Sequence, residues 1–216
     1  QVAAPVLALE KTDIEQLTAL KAKTTGQANA TLERWDLQFY LEQARQQQFS
    51  VNQEALRDYF PTVETVQLAL NIAEQLFHIT LRPAKADVWH KDVLYYDVFD
   101  GQTEDYLGAI YLDLYPRDGK YKHAAAFPVK NGSRLHKQRP SSALVTNFDR
   151  NGLTQREVET LLHELGHVFH GVLSQTWYAN HSGTQVKRDF VEAPSQMLEA
   201  WARQYQTLST VSDFCD

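Results

Sequence analysis

The sequence predicts an α+β fold, mostly helical, with a small and mostly antiparallel sheet. Three observations carry this expectation. Apolar residues recur at helical spacing through roughly the first eighty positions. From Val88 the period shortens to that of strands, with turn pairs between the runs. From Thr154 the helical period returns. The chain then reads as one domain with a helical part (1–87), a small sheet (88–150) and a final helical part (151–216). At 216 residues, 43% hydrophobic and 22% charged, it is long enough to bury one core.

In the helical part, Asp13 to Ala22 is a short amphipathic segment that Gly26 breaks. Leu32 to Gln48 carries Trp35, Leu37, Phe39, Leu41 and Ala44 among many Gln and Glu, which predicts a long, partly exposed helix. Ser50 with Gln53 forms a capping box opening a short helix. That helix must end before Pro61, because a proline disfavours helical backbone in the residue preceding it. Thr62 to His78 places Val63, Val66, Leu70, Ala73 and Phe77 at helical spacing. These are expected to be packing residues.

Val93 to Phe99 is rich in Tyr and Val and closes on the turn pair Asp100-Gly101. Gly108 to Tyr115 alternates, with Ile110, Leu112 and Leu114 on one face and Tyr111, Asp113 and Tyr115 on the other. A second turn at Arg117 to Lys120 leads into a strand from His123 to Val129, and Asn131-Gly132 marks a third turn. Ala143 to Phe148 is the last strand.

The stretch from Thr154 to Val172 opens with a second capping box, Thr154 with Glu157, so a helix starts at about Gln155. Val158, Leu161, Leu162, Leu165, Val168, Phe169 and Val172 fall on one side of it, and His163, His167 and His170 on the other. Gly166 costs about 1 kcal/mol in a helix interior, so another segment is expected to approach the backbone there. His163-Glu164-Leu165-Gly166-His167 is an H-E-x-x-H pattern. Histidines four apart share a helix face and can reach one zinc ion, with Glu164 beside them as a base. This is the arrangement of a zinc peptidase.

A third ligand has to come from elsewhere, since three ligands from one straight helix cannot converge on a tetrahedral ion. His170 is therefore expected either to support a ligand from outside or to be exposed. An extended motif with Gly three residues after the second His, and a His three beyond, is excluded by His170 and Leu173. Arg188 to Trp201 has helical periodicity, with Pro194 tolerable only near the first turn. Glu192 then stands at a helix start, where a metal-binding carboxylate is well placed. Either Glu199 or Gln196 is a candidate to hydrogen-bond a ligand from outside, and Glu199 reads equally as a solvated surface residue.

The runs HELGHVFHGVLSQ and HSGTQVKRDFVEAPSQMLEAW, with YLDLYPRDGKYKHAAAF upstream, resemble the thimet oligopeptidase family of zinc peptidases. The match extends from about Trp35 to about Trp201 and is densest after Trp89. The resemblance implies a zincin-like metallopeptidase region holding one Zn2+ ion. Its ligands would be His163, His167 and Glu192, its base Glu164, and its substrates short peptides hydrolysed through a zinc-activated water. It also implies that an edge of the sheet borders the cleft and pairs with the substrate backbone, with His123 and Ala124 as candidates. The loop Asn180 to Val186, with His181 and Gly183, resembles the family's substrate-contacting loop.

Members of that family are several times longer, and a later segment supplies His and Tyr side chains to the cleft. This chain runs from Gln1 to Asp216. The expectation is a partial catalytic domain in need of a C-terminal segment, weak or inactive by itself. The alternative is a truncated, catalytically incompetent fragment that keeps the fold, with or without metal binding.

A net charge of −6, without a basic stripe, argues against a nucleic-acid partner. No run of eighteen apolar residues predicts a membrane span. Cys215 stands alone, so no intrachain disulfide can form, and Gln1 to Glu10 lacks a signal peptide's basic start. These point to the cytoplasm and leave organellar, periplasmic and secreted locations open. Asn29, Asn131 and Asn180 begin glycosylation patterns that matter only in a secreted protein. A phosphate-binding Gly loop, a G-x-S-x-G elbow and a Cys-His pairing are all missing, so nucleotide use and covalent catalysis have no support.

Overall fold

The computed structural model describes residues 3–49, 55–205, 207 and 209. The chain divides into two compact units, residues 1–52 and 53–216. In the first, α1 (Ala3–Thr25) packs against α2 (Leu37–Phe49), burying Leu17 and Tyr40. Helix α1 begins ten residues before the expected start at Asp13, because Ala3 to Leu9 lacks amphipathic contrast yet is rich in good helix formers. Helix α2 starts five residues later than expected, and Trp35 lies before it, 80% exposed. The expected capping box at Ser50 and Gln53 falls outside the described residues, and a 3-10 turn (Ala55–Tyr59) occupies the site of the short helix.

The second unit is α+β with a mixed sheet. Helix α3 (Thr62–Phe77) buries Val66, Ala69, Leu70 and Ala73, while Val63, expected to pack, is 65% exposed. His78 ends the helix in the left-handed conformation, φ 51°, and the chain turns directly into β1 (Ile79–Pro83). This strand lies inside the segment expected to be helical. Five residues are too few to display a period, and only the β-branched Ile79-Thr80 pair hinted at it.

The remaining strands are β2 (Leu94–Asp100), β3 (Tyr106–Asp113), β4 (Ala125–Lys130) and β5 (Ser141–Val145). The order across the sheet is β1-β2-β3-β5-β4. Every neighbouring pair is antiparallel except β3 with β5, which are parallel. The chain thus leaves the middle of the sheet after β3, forms the edge strand β4, and returns to fill the gap with β5. Pro128 sits in that edge strand, where a residue without a backbone N–H is tolerated, and the register shifts between Pro128 and Lys130.

The core lies between one face of the sheet and two helices, α3 and α4 (Gln155–Val172). Val98, Ile110, Leu112 and Leu144 from the sheet meet Leu70 and Ala73 of α3 and Leu161, Leu165 and Phe169 of α4. Phe77 and Phe169 stack at 5.5 Å between centroids. The expected apolar side of α4 is the buried one, from Val158 to Val172.

Asp113 departs from its expected place on the outer face. It is 2% exposed, and it accepts hydrogen bonds from Trp89 Nε1 at 2.7 Å and from both terminal nitrogens of Arg117 at 2.6 and 2.8 Å. Lys120 Nζ lies 2.9 Å from the carboxylate and donates to the carbonyls of Asp113 and Tyr115. The turn after β3 is tied to the strand end by this cluster. Among the described residues, no helix is long and apolar enough to cross a membrane.

Candidate metal centre

Helix α4 begins as expected at Gln155. Thr154 Oγ1 accepts from the Glu157 N–H, and Glu157 returns a bond to the Thr154 N–H, closing the capping box. Arg57 donates to Glu157 at 2.6 Å and to the Gly152 carbonyl at 2.9 Å, fixing the approach to the helix. About two turns further on, His163 and His167 project from the face opposite the core, with ring centroids 5.0 Å apart.

The second segment is α5 (Ala193–Glu199), extended by a 3-10 turn, Ala200–Arg203. Pro194 lies in its first turn, and Glu192 is its N-cap residue. Gly166 is where the two segments cross. A Cβ there would lie 2.5 Å from Ser195 Cα and 2.8 Å from the Pro194 carbonyl oxygen, so only glycine permits this approach. Gly166→Ala is expected to push α5 away, costing about 1–3 kcal/mol of stability, and to weaken metal uptake. Thermal unfolding and a metal titration on the same variant check both effects.

The crossing brings three donor groups together. Glu192 Oε2 lies 3.3 Å from His163 Nε2 and 3.1 Å from His167 Nε2. All three donor atoms fall within 4.8 Å of one another. Ligands at about 2.0–2.1 Å from a tetrahedral ion stand roughly 3.3–3.4 Å apart, so the carboxylate sits at nearly the separation from each imidazole that zinc requires. Two imidazole nitrogens and a carboxylate oxygen are also a donor set that zinc accepts.

The donors differ in their support. His163 Nδ1 lies 3.1 Å from Glu199 Oε2, and a proton held between them leaves Nε2 as the lone-pair nitrogen. Ser195, fully buried, donates from Oγ to Glu192 Oε2 at 2.8 Å and to the Glu192 carbonyl at 2.9 Å. That hydrogen bond, helped by the two imidazoles and opposed by partial burial, holds the Glu192 carboxyl below its usual range. His167 Nδ1 is buried and has no hydrogen-bond partner among the described residues. Sequence reasoning missed Ser195. Its position three residues after Glu192, at a helix start, was the available sign.

The other candidates divide. Glu164 is half-buried, beside His163 on α4, and its carboxylate has no partner among the described residues. Gln196 is exposed and bonds neither histidine. His170 is half-buried, stacked edge-on against Phe190 at 6.3 Å, and lies outside the donor cluster. Burial, with a smaller contribution from His167, lowers its pKa.

On the sheet side, a small depression is shared by His167, Phe127 and Pro128 of β4, and Gly183 with its neighbours Ser182 and Thr184. Gly183 has φ +57°, and a Cβ there would lie 2.8 Å from Gly171 Cα. Its N–H donates to Ser174 Oγ, and Ser182 Oγ accepts from the Gly132 N–H, both at 2.9 Å. The loop between the two ligand-bearing helices is therefore tied to α4 and to the turn after β4. His123 and His181 are both exposed, and neither lines this depression. His123 and Ala124 precede β4 instead of lying within it.

A sheet whose edge strand β4 packs beside the helix that carries H-E-x-x-H, with a carboxylate from the next helix completing the donor set, is an architecture of peptidases. The chain belongs to peptidase family M3, whose family model matches residues 1–214. It is 35% identical over 178 residues to the thimet-like oligopeptidase of Dictyostelium discoideum, covering 77% of this chain and 26% of that protein. Saccharolysin of Saccharomyces cerevisiae is 34% identical over 217 residues, covering 91% of this chain and 30% of that protein. Oligopeptidase A of Escherichia coli is 34% identical over 194 residues, with 84% and 28% covered. The chain thus spans 26–30% of the length of these curated relatives.

Proposed function

We propose that this chain is the zincin-like catalytic region of a zinc-dependent metalloendopeptidase acting on short peptides. The observation that carries the reading is the meeting of His163, His167 and Glu192 within 4.8 Å, beside Glu164, which has no partner among the described residues. Relatives whose names denote oligopeptidases support the substrate class.

One zinc ion would be held by the Nε2 atoms of His163 and His167 and by Glu192 Oε2. When bound, the ion supplies Lewis acidity, bringing the pKa of a water toward about 7 and polarising a carbonyl. Glu199 keeps the proton of His163 on Nδ1 and so fixes which nitrogen faces the cleft. Ser195 holds the Glu192 carboxylate in place. The Glu164 carboxylate accepts the proton of the attacking water and delivers it to the leaving amine nitrogen. The open edge of β4 offers backbone groups to an extended peptide, with His123 and Ala124 at its entrance and His181 and Gly183 on the opposite loop. The lone Cys215 supports a reducing compartment such as the cytoplasm.

The test pairs elemental analysis of the purified chain with cleavage of a quenched-fluorescent peptide, with and without a chelator. One zinc per chain is expected, with any cleavage by the chain alone weak and chelator-sensitive. Zinc without cleavage favours the alternative of an incompetent fragment that keeps the fold. A chain that binds no divalent metal refutes the reading.

A further inference from the structure

We propose that Glu159 and Arg203 form a positioning clamp that holds α5 against α4 in the register the donor cluster needs. The inference rests on the metal-centre reading above and extends it to two residues that touch none of the donors.

On α4, Glu159, His163 and His167 follow one another at intervals of four, so they lie along one face. The segment from Glu192 to Arg203 runs back along that face and meets them in turn. Arg203 Nε donates to Glu159 Oε1 at 3.0 Å, Glu199 Oε2 lies 3.1 Å from His163 Nδ1, and Glu192 Oε2 lies 3.1 Å from His167 Nε2. Four residues forward on α4, from Glu159 to His163, match four residues back on the other segment, from Arg203 to Glu199. The contacts make an antiparallel ladder of three polar rungs, and the two beyond Arg203 and Glu159 hold the donors.

The rung of Arg203 and Glu159 is tied to the others. The Arg203 guanidinium also lies 3.8 Å from Glu199 Oε1, so one cation bridges Glu159 and the carboxylate that orients His163. The segment needs such a fixture. Helix α5 has only seven residues, too few to be stable alone, and it passes into a 3-10 turn that ends at Arg203. The crossing at Gly166 and Ser195 gives close approach, but contacts between small groups and backbone resist sliding poorly. A slip of one turn would carry Glu192 about 5.4 Å from the imidazoles, beyond any ligand bond. A charged pair two turns from the crossing resists that slip.

Arg203 is 66% exposed, so its pairs are screened and the expected effect is moderate. Zinc affinity of the whole chain is measured by competition with a chromogenic chelator, and the metal-free melting temperature is recorded for every variant. Arg203→Ala and Glu159→Gln are each expected to weaken zinc binding by about 3–10-fold, less than loss of a residue that touches a ligand directly. Arg203→Lys is expected to recover most of the loss, and the double variant Glu159→Gln/Arg203→Ala to bind about as weakly as either single one. The visible spectrum of the Co2+-loaded Arg203→Ala chain should shift from that of the unaltered chain, because the donor geometry changes.

Unchanged affinity in both single variants overturns the clamp, as do additive losses in the double variant or losses that follow the metal-free melting temperature. An unaltered chain that takes up no divalent ion overturns the metal-centre reading itself. Normal uptake with unaffected variants overturns the clamp alone.

Discussion

Replacing Glu164 with glutamine is expected to lower peptide hydrolysis by about 10²–10⁴-fold while zinc content stays at the unaltered level. Glutamine keeps the size and polarity of the side chain but cannot accept a proton at neutral pH. Glu164 is free for that role, since its carboxylate has no ion pair or hydrogen bond among the described residues. The neighbouring carboxylates are engaged: Glu192 accepts from Ser195, and Glu199 faces His163. The check is kcat/KM on a quenched-fluorescent peptide, beside metal stoichiometry on the same preparation. A variant that cleaves at the original rate would remove Glu164 from the chemistry. One that loses its zinc would make Glu164 part of the metal's support instead.

Asp113→Ala is expected to destabilise the fold by about 3–5 kcal/mol, the range for removing one member of a buried ion pair. The side chains of Asp113 and Lys120 are only 3% and 2% exposed, so the ammonium would be left charged, buried and without its counter-ion. Burial alone pushes the Asp113 carboxyl up, but hydrogen bonds from Arg117, Trp89 and Lys120 outweigh it and hold the group well below the usual carboxylate range. The sign of the pH dependence follows. A depressed folded pKa gives stability that is present above the unfolded value, about 3.9, and is lost as pH falls below it. Urea unfolding between pH 7 and pH 2.5 should show a steep loss below about pH 4 in the unaltered chain and a shallower one in the variant. Equal slopes would show that Asp113 is not the responsible carboxylate.

Helix α4 and its two faces were legible because an eighteen-residue amphipathic helix repeats its pattern several times, and its capping box marks the start. Glu192 was legible because Pro194 ties the helix start to it. The parallel pairing of β3 with β5 was not, since local periodicity says nothing about which strands become neighbours. Strand β1 is too short to show alternation, and Asp113 was read by alternation alone, which cannot anticipate cations arriving from the following turn. The choice between Gln196 and Glu199 could not be made from spacing. Each lies within reach of a neighbouring helix by spacing, and with α5 packed against Gly166 it is Glu199 that meets the histidine. His123, expected at a strand edge, and His181, expected in a substrate-contacting loop, were candidates only through the family resemblance, and short-range pattern does not determine where either exposed side chain lies.

The proline and register shift in β4 bear on how this protein behaves at high concentration. An uninterrupted, flat sheet margin is a template on which further copies can stack through their main chains. Here the ladder is broken between Pro128 and Lys130, so the margin is a poor seed for continuous fibre growth. Main-chain stacking of copies along β4 is thereby disfavoured.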